Sequence, residues 1–156
     1  MTFLERTLAV NLKSAFYMCQ HMVRVRGDRV GAIVNVSSIE AVLHLVKGLT
    51  HYLVSKIGVI ALTRSLAREL GGKGFRVEAV MPRGIRTAGT EKVRREAIRK
   101  LQMRFFITGL RFISRVPLNR LAEPDEVARV VLFLASDLAS YVNGTVITVE
   151  GGFTAD

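Results

Sequence analysis

Leu8, Leu12, Ala15, Phe16, Cys19 and Met22 recur at steps of three and four, so Thr2 to about Arg24 is predicted to be a helix with one apolar stripe. Gly27-Asp28 breaks that period. Ala32-Ile33-Val34-Asn35-Val36 is a nearly continuous apolar run, the pattern of a strand buried on both faces, and Ser37-Ser38 ends it. The helical period returns from Tyr52 to about Leu70, with Val54, Ile57, Ile60, Ala61 and Leu66 apolar. Gly71-Gly72 and Gly74 supply its stop, because glycine takes up the left-handed cap without steric cost.

Phe75 to Met81 reads as a second strand, stopped by Pro82. A helix from Thr90 to Phe105 follows, then irregular chain. Pro124 opens another helix, running to about Ala135, with Asp125 and Glu126 in the first turn that the helix dipole favours. Gly144 precedes a third strand, Thr145 to Val149, closed by Gly151-Gly152. Strands some forty residues apart with helices between them are not hairpins, so they pair in parallel through crossovers. The expected fold class is α/β, about three parallel strands with flanking helices, and residues 1–156 are expected to form a single domain.

Composition agrees with a folded domain. With 49% of its residues hydrophobic, the chain can bury a core, which excludes a disordered tail. Val130 to Ala135 is too short to span a bilayer. Cys19 is the only cysteine, so no intrachain disulfide forms and a reducing, cytoplasmic setting is expected. Met1 to Ala9 holds Glu5 and Arg6 and no apolar core, so no signal peptide is read. Charge changes the picture more. Between Arg83 and Arg120 there are eleven Lys and Arg against Glu91 and Glu96, which is +9 of the net +10. That segment could meet phosphates or an acidic substrate, or simply be a solvated face.

Tyr52 and Lys56 are four apart, on one face of their predicted helix. A free phenol has a pKa of about 10, and an ammonium group within about 4–6 Å favours the phenolate. Such a tyrosine can exchange a proton with an alcohol or a carbonyl. Ser38 lies at the carboxyl end of the first strand, where open α/β sheets place ligands. Asn11 interrupts an apolar stripe, an unfavourable place for an amide without hydrogen-bond partners. His44 and His51 lie between Ser38 and Tyr52, but no second ligand set suggests a metal. Met103, Phe105, Phe106 and Phe112 form an apolar group suited to core or pocket lining.

These segments together resemble the short-chain dehydrogenase/reductase family over nearly the whole chain. Asn11-Leu12-Lys13-Ser14-Ala15-Phe16 resembles the helix bearing the family's asparagine, Asn35-Val36-Ser37-Ser38 the strand end bearing its serine, and Tyr52 to Lys56 its Tyr-x-x-x-Lys signature. Pro82-Arg83-Gly84-Ile85-Arg86-Thr87 resembles the Pro-Gly-x-x-x-Thr segment at the nicotinamide. Arg120 to Asp137 and Gly144 to Gly152 resemble the closing helix and strand. The resemblance implies a Rossmann-like, doubly wound parallel sheet and hydride transfer with NAD or NADP at a hydroxyl or carbonyl group. It assigns Tyr52 as general acid/base and Ser38 as the hydroxyl holding the substrate oxygen. Lys56 would bond the nicotinamide ribose, Asn11 would hold a relay water, and Pro82, Gly84, Ile85 and Thr87 would border the nicotinamide. It further implies a homo-oligomer paired through helices 2–24 and 52–70. In the basic segment Arg94, Arg95, Arg99 and Arg104 would meet an acidic substrate or water, and Val93, Ala97, Leu101 and Phe105 recur at four-residue steps; packing of that stripe onto the sheet is preferred to a membrane or nucleic-acid role.

The departures are as informative. No Gly-x-Gly-x-x-Gly occurs, and only ten residues precede Asn11, so the part that resembles the family is its C-terminal catalytic half. The N-terminal half, with the glycine-rich turn for the dinucleotide pyrophosphate, has no counterpart here, and weak dinucleotide binding is expected of 1–156 alone. Arg83 replaces the glycine after the proline and is expected to put a long side chain near the nicotinamide. Glu78 replaces an asparagine, Glu150 an aspartate, and Ser38 to Tyr52 is one position longer than the usual spacing. Two readings of different class follow. One is an oxidoreductase completed by a missing N-terminal half; the other is a catalytically silent α/β module serving oligomerisation or anion binding through Arg83–Arg120.

Overall fold

The computed structural model describes residues 2–44, 46–99, 109 and 112–155. Its centre is a three-stranded parallel sheet in the order β1 (Gly31–Val36), β2 (Phe75–Pro82), β3 (Val146–Val149). In the first pair Gly31 lies opposite Phe75 and Val36 opposite Val80, and in the second Ala79 opposite Val146 and Pro82 opposite Val149. All carboxyl ends therefore share one rim.

The first helix is continuous in direction but not in hydrogen bonding. α1 (Phe3–Leu8) passes through a π-helical turn, Ala9–Lys13, into α2 (Ser14–Arg26). Thr2 and Glu5 close a reciprocal capping box at its start, satisfying two N–H groups that lack helical partners. α3 (Thr50–Leu70) connects β1 to β2, and α4 (Ala88–Arg99) follows β2. Gly74, at φ +77°, is the left-handed residue that closes the α3 connection, whereas Gly71 stays right-handed within one more tight turn. α5 (Pro124–Ala135) has its proline at the start and a Glu123–Glu126 capping box.

The helices cover opposite faces of the sheet. Towards α3, Phe75, Val77 and Ile33 pack with Cys19, Ala67 and Leu70, and Met81 packs with Ile60, Ile39 and Ala41. Towards α5, Val80 packs with Leu134 and Ala139, bordered by Val34, Val127 and Ile147. Of the helical positions that the period selected, Cys19 and Ile60 are buried, whereas Phe16, Val54, Ile57 and Ala61 are exposed.

β1 pairs only with β2 among the described residues, and Val36 at its end is half exposed, as is expected of a catalytic half on its own, whose first strand has one edge without a partner. The helix expected over Thr90–Phe105 begins at Ala88 and is described to Arg99. Leu101, Met103, Arg104, Phe105 and Phe106, and the side chains of Val93, Arg94, Ala97 and Arg99, lie outside the described residues. No described helix is long and apolar enough to cross a membrane.

Candidate active site

Tyr52 lies in the first turn of α3, and Lys56 one turn later reaches back to the rim of the sheet. Lys56 Nζ donates to the carbonyl of Val36, the last residue of β1, at 2.9 Å. That bond places the ammonium 5.7 Å from the centroid of the Tyr52 ring. The hydroxyl of Ser37 donates to the Lys56 carbonyl at 2.8 Å, tying α3 to the same strand end a second time. Burial pushes the Lys56 ammonium below its ordinary pKa, since a charge gains less solvation there.

Ser38 is the N-cap of a tight turn, Ile39–Ala41, and its hydroxyl oxygen accepts the Glu40 N–H at 3.3 Å. Among the described residues no acceptor takes the hydroxyl proton. Asn11 sits in the π-helical turn, and its amide donates to the Ser55 hydroxyl at 3.0 Å. Ser55 Oγ in turn donates to the Tyr52 carbonyl at 2.6 Å. The amide that interrupted an apolar stripe is thus partnered, and its bond runs to the helix that carries Tyr52 and Lys56. Phe3, Arg6, Val10 and His51 border an open groove of about 310 Å³ that reaches Asn11 and Tyr52. His51 packs edge-on against Phe3, with ring centroids 4.5 Å apart, and His44 is exposed.

The segment after β2 closes the other side. Pro82 pairs with Val149, and Arg83 N–H donates to the Val149 carbonyl at 3.0 Å. Gly84 takes φ +63°, and a Cβ there would fall 2.8 Å from the ring of Phe112, so both conformation and space require glycine. Ile85 bridges to Ala122, and Thr87 caps α4 by accepting the Thr90 N–H at 3.2 Å.

Arg83 is held by partners of its own. Its side chain turns to Glu40, with Nη1 2.7 Å from Oε1, both side chains being nearly buried. Its guanidinium carbon lies 4.8 Å from the Phe112 ring centroid and 4.5 Å from that of Phe153. The carboxylate and the two rings supply what draws it there. Other cations of the basic segment are also paired. Arg120 grips both oxygens of Glu126, holding that carboxyl down at about 2, and Arg86 meets Glu123 at 3.3 Å. Among the described residues no group of three His, Cys, Asp or Glu could hold a metal ion.

Lys56 and Tyr52 stand at the carboxyl end of β1, and Ser38 follows two residues after Val36. Pro82–Thr87 leaves the same rim from neighbouring β2, where hydroxyl, phenol and ammonium groups would suit the nicotinamide half of a dinucleotide. Nothing among the described residues fits its adenosine half, which would lie beyond the open edge of β1. Ser37, Ser55 and Glu40 were missed by sequence reasoning. The signal for Ser55 was a hydroxyl embedded in the apolar stripe three residues after Tyr52.

Comparison with known proteins identifies the family and the fold. The family profile described as enoyl-(acyl carrier protein) reductase matches residues 2–154. The chain belongs to the short-chain dehydrogenase/reductase family, with its Rossmann-like α/β fold. It is 42% identical over 149 residues to the 3-oxoacyl-[acyl-carrier-protein] reductase FabG of Thermotoga maritima, covering 95% of this chain and 56% of that one. It is 38% identical over 151 residues to the (3R)-3-hydroxyacyl-CoA dehydrogenase of Homo sapiens, covering 95% and 53%. A provisionally assigned 2-deoxy-D-gluconate 3-dehydrogenase of Agrobacterium tumefaciens, solved with bound NADP, superposes with a TM-score of 0.79 at 32% identity, covering 94% and 56%. The chain spans about half the length of these relatives.

Proposed function

We propose that residues 1–156 carry the catalytic half of an oxidoreductase that transfers hydride between NAD or NADP and a small substrate's hydroxyl or carbonyl carbon. The observation that carries this reading is the Lys56 ammonium bonded to the Val36 carbonyl at the carboxyl end of β1 and 5.7 Å from the Tyr52 ring, with Ser38 two residues beyond Val36. The bound nicotinamide supplies or accepts the hydride. In the reducing direction Tyr52 gives its phenolic proton to the substrate oxygen as the carbon receives hydride, so a carbonyl becomes an alcohol. Lys56 supplies the positive charge that the phenolate then requires. Ser38 donates its free hydroxyl proton to the same substrate oxygen, and Asn11, held by Ser55, orders the proton path behind α3.

The cofactor's remaining half needs a βαβ unit along the open edge of β1, whether on the same polypeptide or another. A second copy of the chain would pack on helices 2–24 and 52–70, where Val10, Phe16, Tyr17, Met18, Val54 and Ile57 are exposed. The same surface supports the alternative of a silent oligomerisation module. Anion binding through Arg83–Arg120 is the weaker alternative, because Arg83, Arg86 and Arg120 already hold carboxylates.

The test is calorimetric titration with NADH and NADPH alongside the mass in solution, then reduction of acetoacetyl-CoA. Micromolar binding and turnover are expected once the β1 edge is completed. Tyr52→Phe is expected to lower turnover by a factor of roughly 10² to 10⁴ without changing the thermal midpoint. Equal turnover in Tyr52→Phe would overturn the role given to the phenol.

A further inference from the structure

Two segments at the sheet rim, far apart in sequence, are joined by one ion pair. Glu40 lies two residues after Ser38, in the tight turn that Ser38 caps, and Arg83 directly follows the proline ending β2. The 2.7 Å contact between them is nearly buried, and the guanidinium lies over the rings of Phe112 and Phe153, which stack on each other at 5.6 Å. Arg83 Nε is buried without a hydrogen-bond partner among the described residues. A buried pair carrying such a penalty is a weak source of stability, and fixing one conformation is the role its retention suits.

What the pair fixes follows from the backbone. Its carboxylate is on the residue whose N–H donates to Ser38 Oγ. Holding the Glu40 side chain holds that N–H, and a hydroxyl oxygen already accepting from one side directs its proton to the other. We propose that the Arg83–Glu40 pair is a positioning device for Ser38: it locks the serine hydroxyl as a donor towards the substrate oxygen and couples the serine turn to the Pro82–Thr87 segment. Arg83 therefore acts through Glu40, without touching substrate. The inference rests on the function proposed for Ser38, but the geometry it asserts is measurable without turnover.

The experiment compares Arg83→Gly, Glu40→Ala and the double variant, which removes both charges together. Amide hydrogen exchange read by NMR on the 156-residue chain is expected to show the Glu40 N–H exchanging roughly tenfold faster in all three, with β2 amides unchanged. With the β1 edge completed, steady-state reduction of acetoacetyl-CoA by NADPH is expected to show kcat reduced roughly tenfold or more, since a small misplacement of a catalytic group is costly, with KM nearly unchanged. The double variant should lose no more than either single one. Unchanged exchange at Glu40 overturns the proposal, as does a rise in KM confined to Arg83→Gly, which would mean that Arg83 binds substrate. Absence of turnover in the unsubstituted protein with its β1 edge completed would count against the proposed activity, while the exchange result on the 156-residue chain would still decide whether the pair holds the Ser38 turn.

Discussion

The two faces of β2 solve the burial of polar groups differently. On the side of α3, Phe75, Val77, Ala79 and Met81 are apolar, and the polar atoms of the neighbouring strand are matched in neutral pairs. Asn35 gives its amide to the Thr63 hydroxyl at 3.0 Å and accepts from Cys19 Sγ at 3.7 Å, while Thr63 donates to the Val59 carbonyl. On the side of α5, Arg76 and Glu78 bring charge into the interior. Arg76 bonds the carbonyls of Leu134 and Ser136 and meets one oxygen of Glu78 at 3.4 Å, but the other carboxylate oxygen has no partner among the described residues. Beneath Tyr52 and Lys56 the polar groups are thus matched without charge, and the one ion pair near Ser38, Arg83–Glu40, stands at the rim of the sheet. Placing catalytic groups to a fraction of an ångström needs a support that does not shift with protonation.

The largest expected effect comes from breaking the α3 face at its apolar anchor. Phe75 is fully buried and packs with Cys19, Ile33, Leu70 and Val77, while its ring lies where a Gly31 side chain would otherwise stand. Phe75→Ala is expected to cost about 3–5 kcal/mol in urea unfolding, the range for truncating a buried aromatic ring. A loss under about 1 kcal/mol would mean that the core collapses onto the cavity and that this face is not the rigid one.

Breaking the polar pair on the same face tests the matching directly. Thr63→Val keeps the shape but removes the oxygen that Asn35 donates to, leaving a buried amide N–H without its partner. The expected cost is about 1–3 kcal/mol by equilibrium unfolding. Replacing Asn35 by Leu as well should recover part of that loss, because no unpaired donor then remains. Additive losses would show that the pair is not the unit of stabilisation.

Much of this arrangement was legible in the chain because it is local or periodic. The strand at Gly31–Val36, the helix at Thr50–Leu70 and the proximity of Tyr52 to Lys56 follow from period and spacing, and the structure shifts their ends by only one or two residues. The edge position of β1 was not legible in its composition, since Val, Ile and Ala read the same whether one or both edges are paired. The bond from Asn11 to Ser55 spans 44 positions and that from Arg83 to Glu40 spans 43. No local period encodes such partners, which is why Asn11 could be singled out by type while Ser55 and Glu40 could not. The π-helical turn around Asn11 carries no distinctive residue, as its Ala-Val-Asn-Leu-Lys sequence suits an ordinary helix.

The smallest effect is the one that separates the two faces by pH. Burial pushes the Glu78 carboxyl up from 4.5 to about 6, against the opposing pull of the Arg76 guanidinium. The folded state therefore holds this proton more tightly than the unfolded chain. Below about pH 4.5 both states are protonated and Glu78 carries no penalty. Between 4.5 and about 6 the unfolded chain releases its proton first, so stability falls as pH rises, and above that window the loss is constant. A shift of this size corresponds to about 2 kcal/mol. Glu78→Gln removes the titration, so its stability relative to the unsubstituted chain should rise by about that amount between pH 4 and pH 7, whatever its offset at pH 4. Thr63→Val should show no such drift over the same range, because no charge is involved. Parallel curves for Glu78→Gln and the unsubstituted chain would mean that Glu78 ionises freely within the fold. The α5 face would then be as well matched as the α3 face, and the contrast between them would vanish.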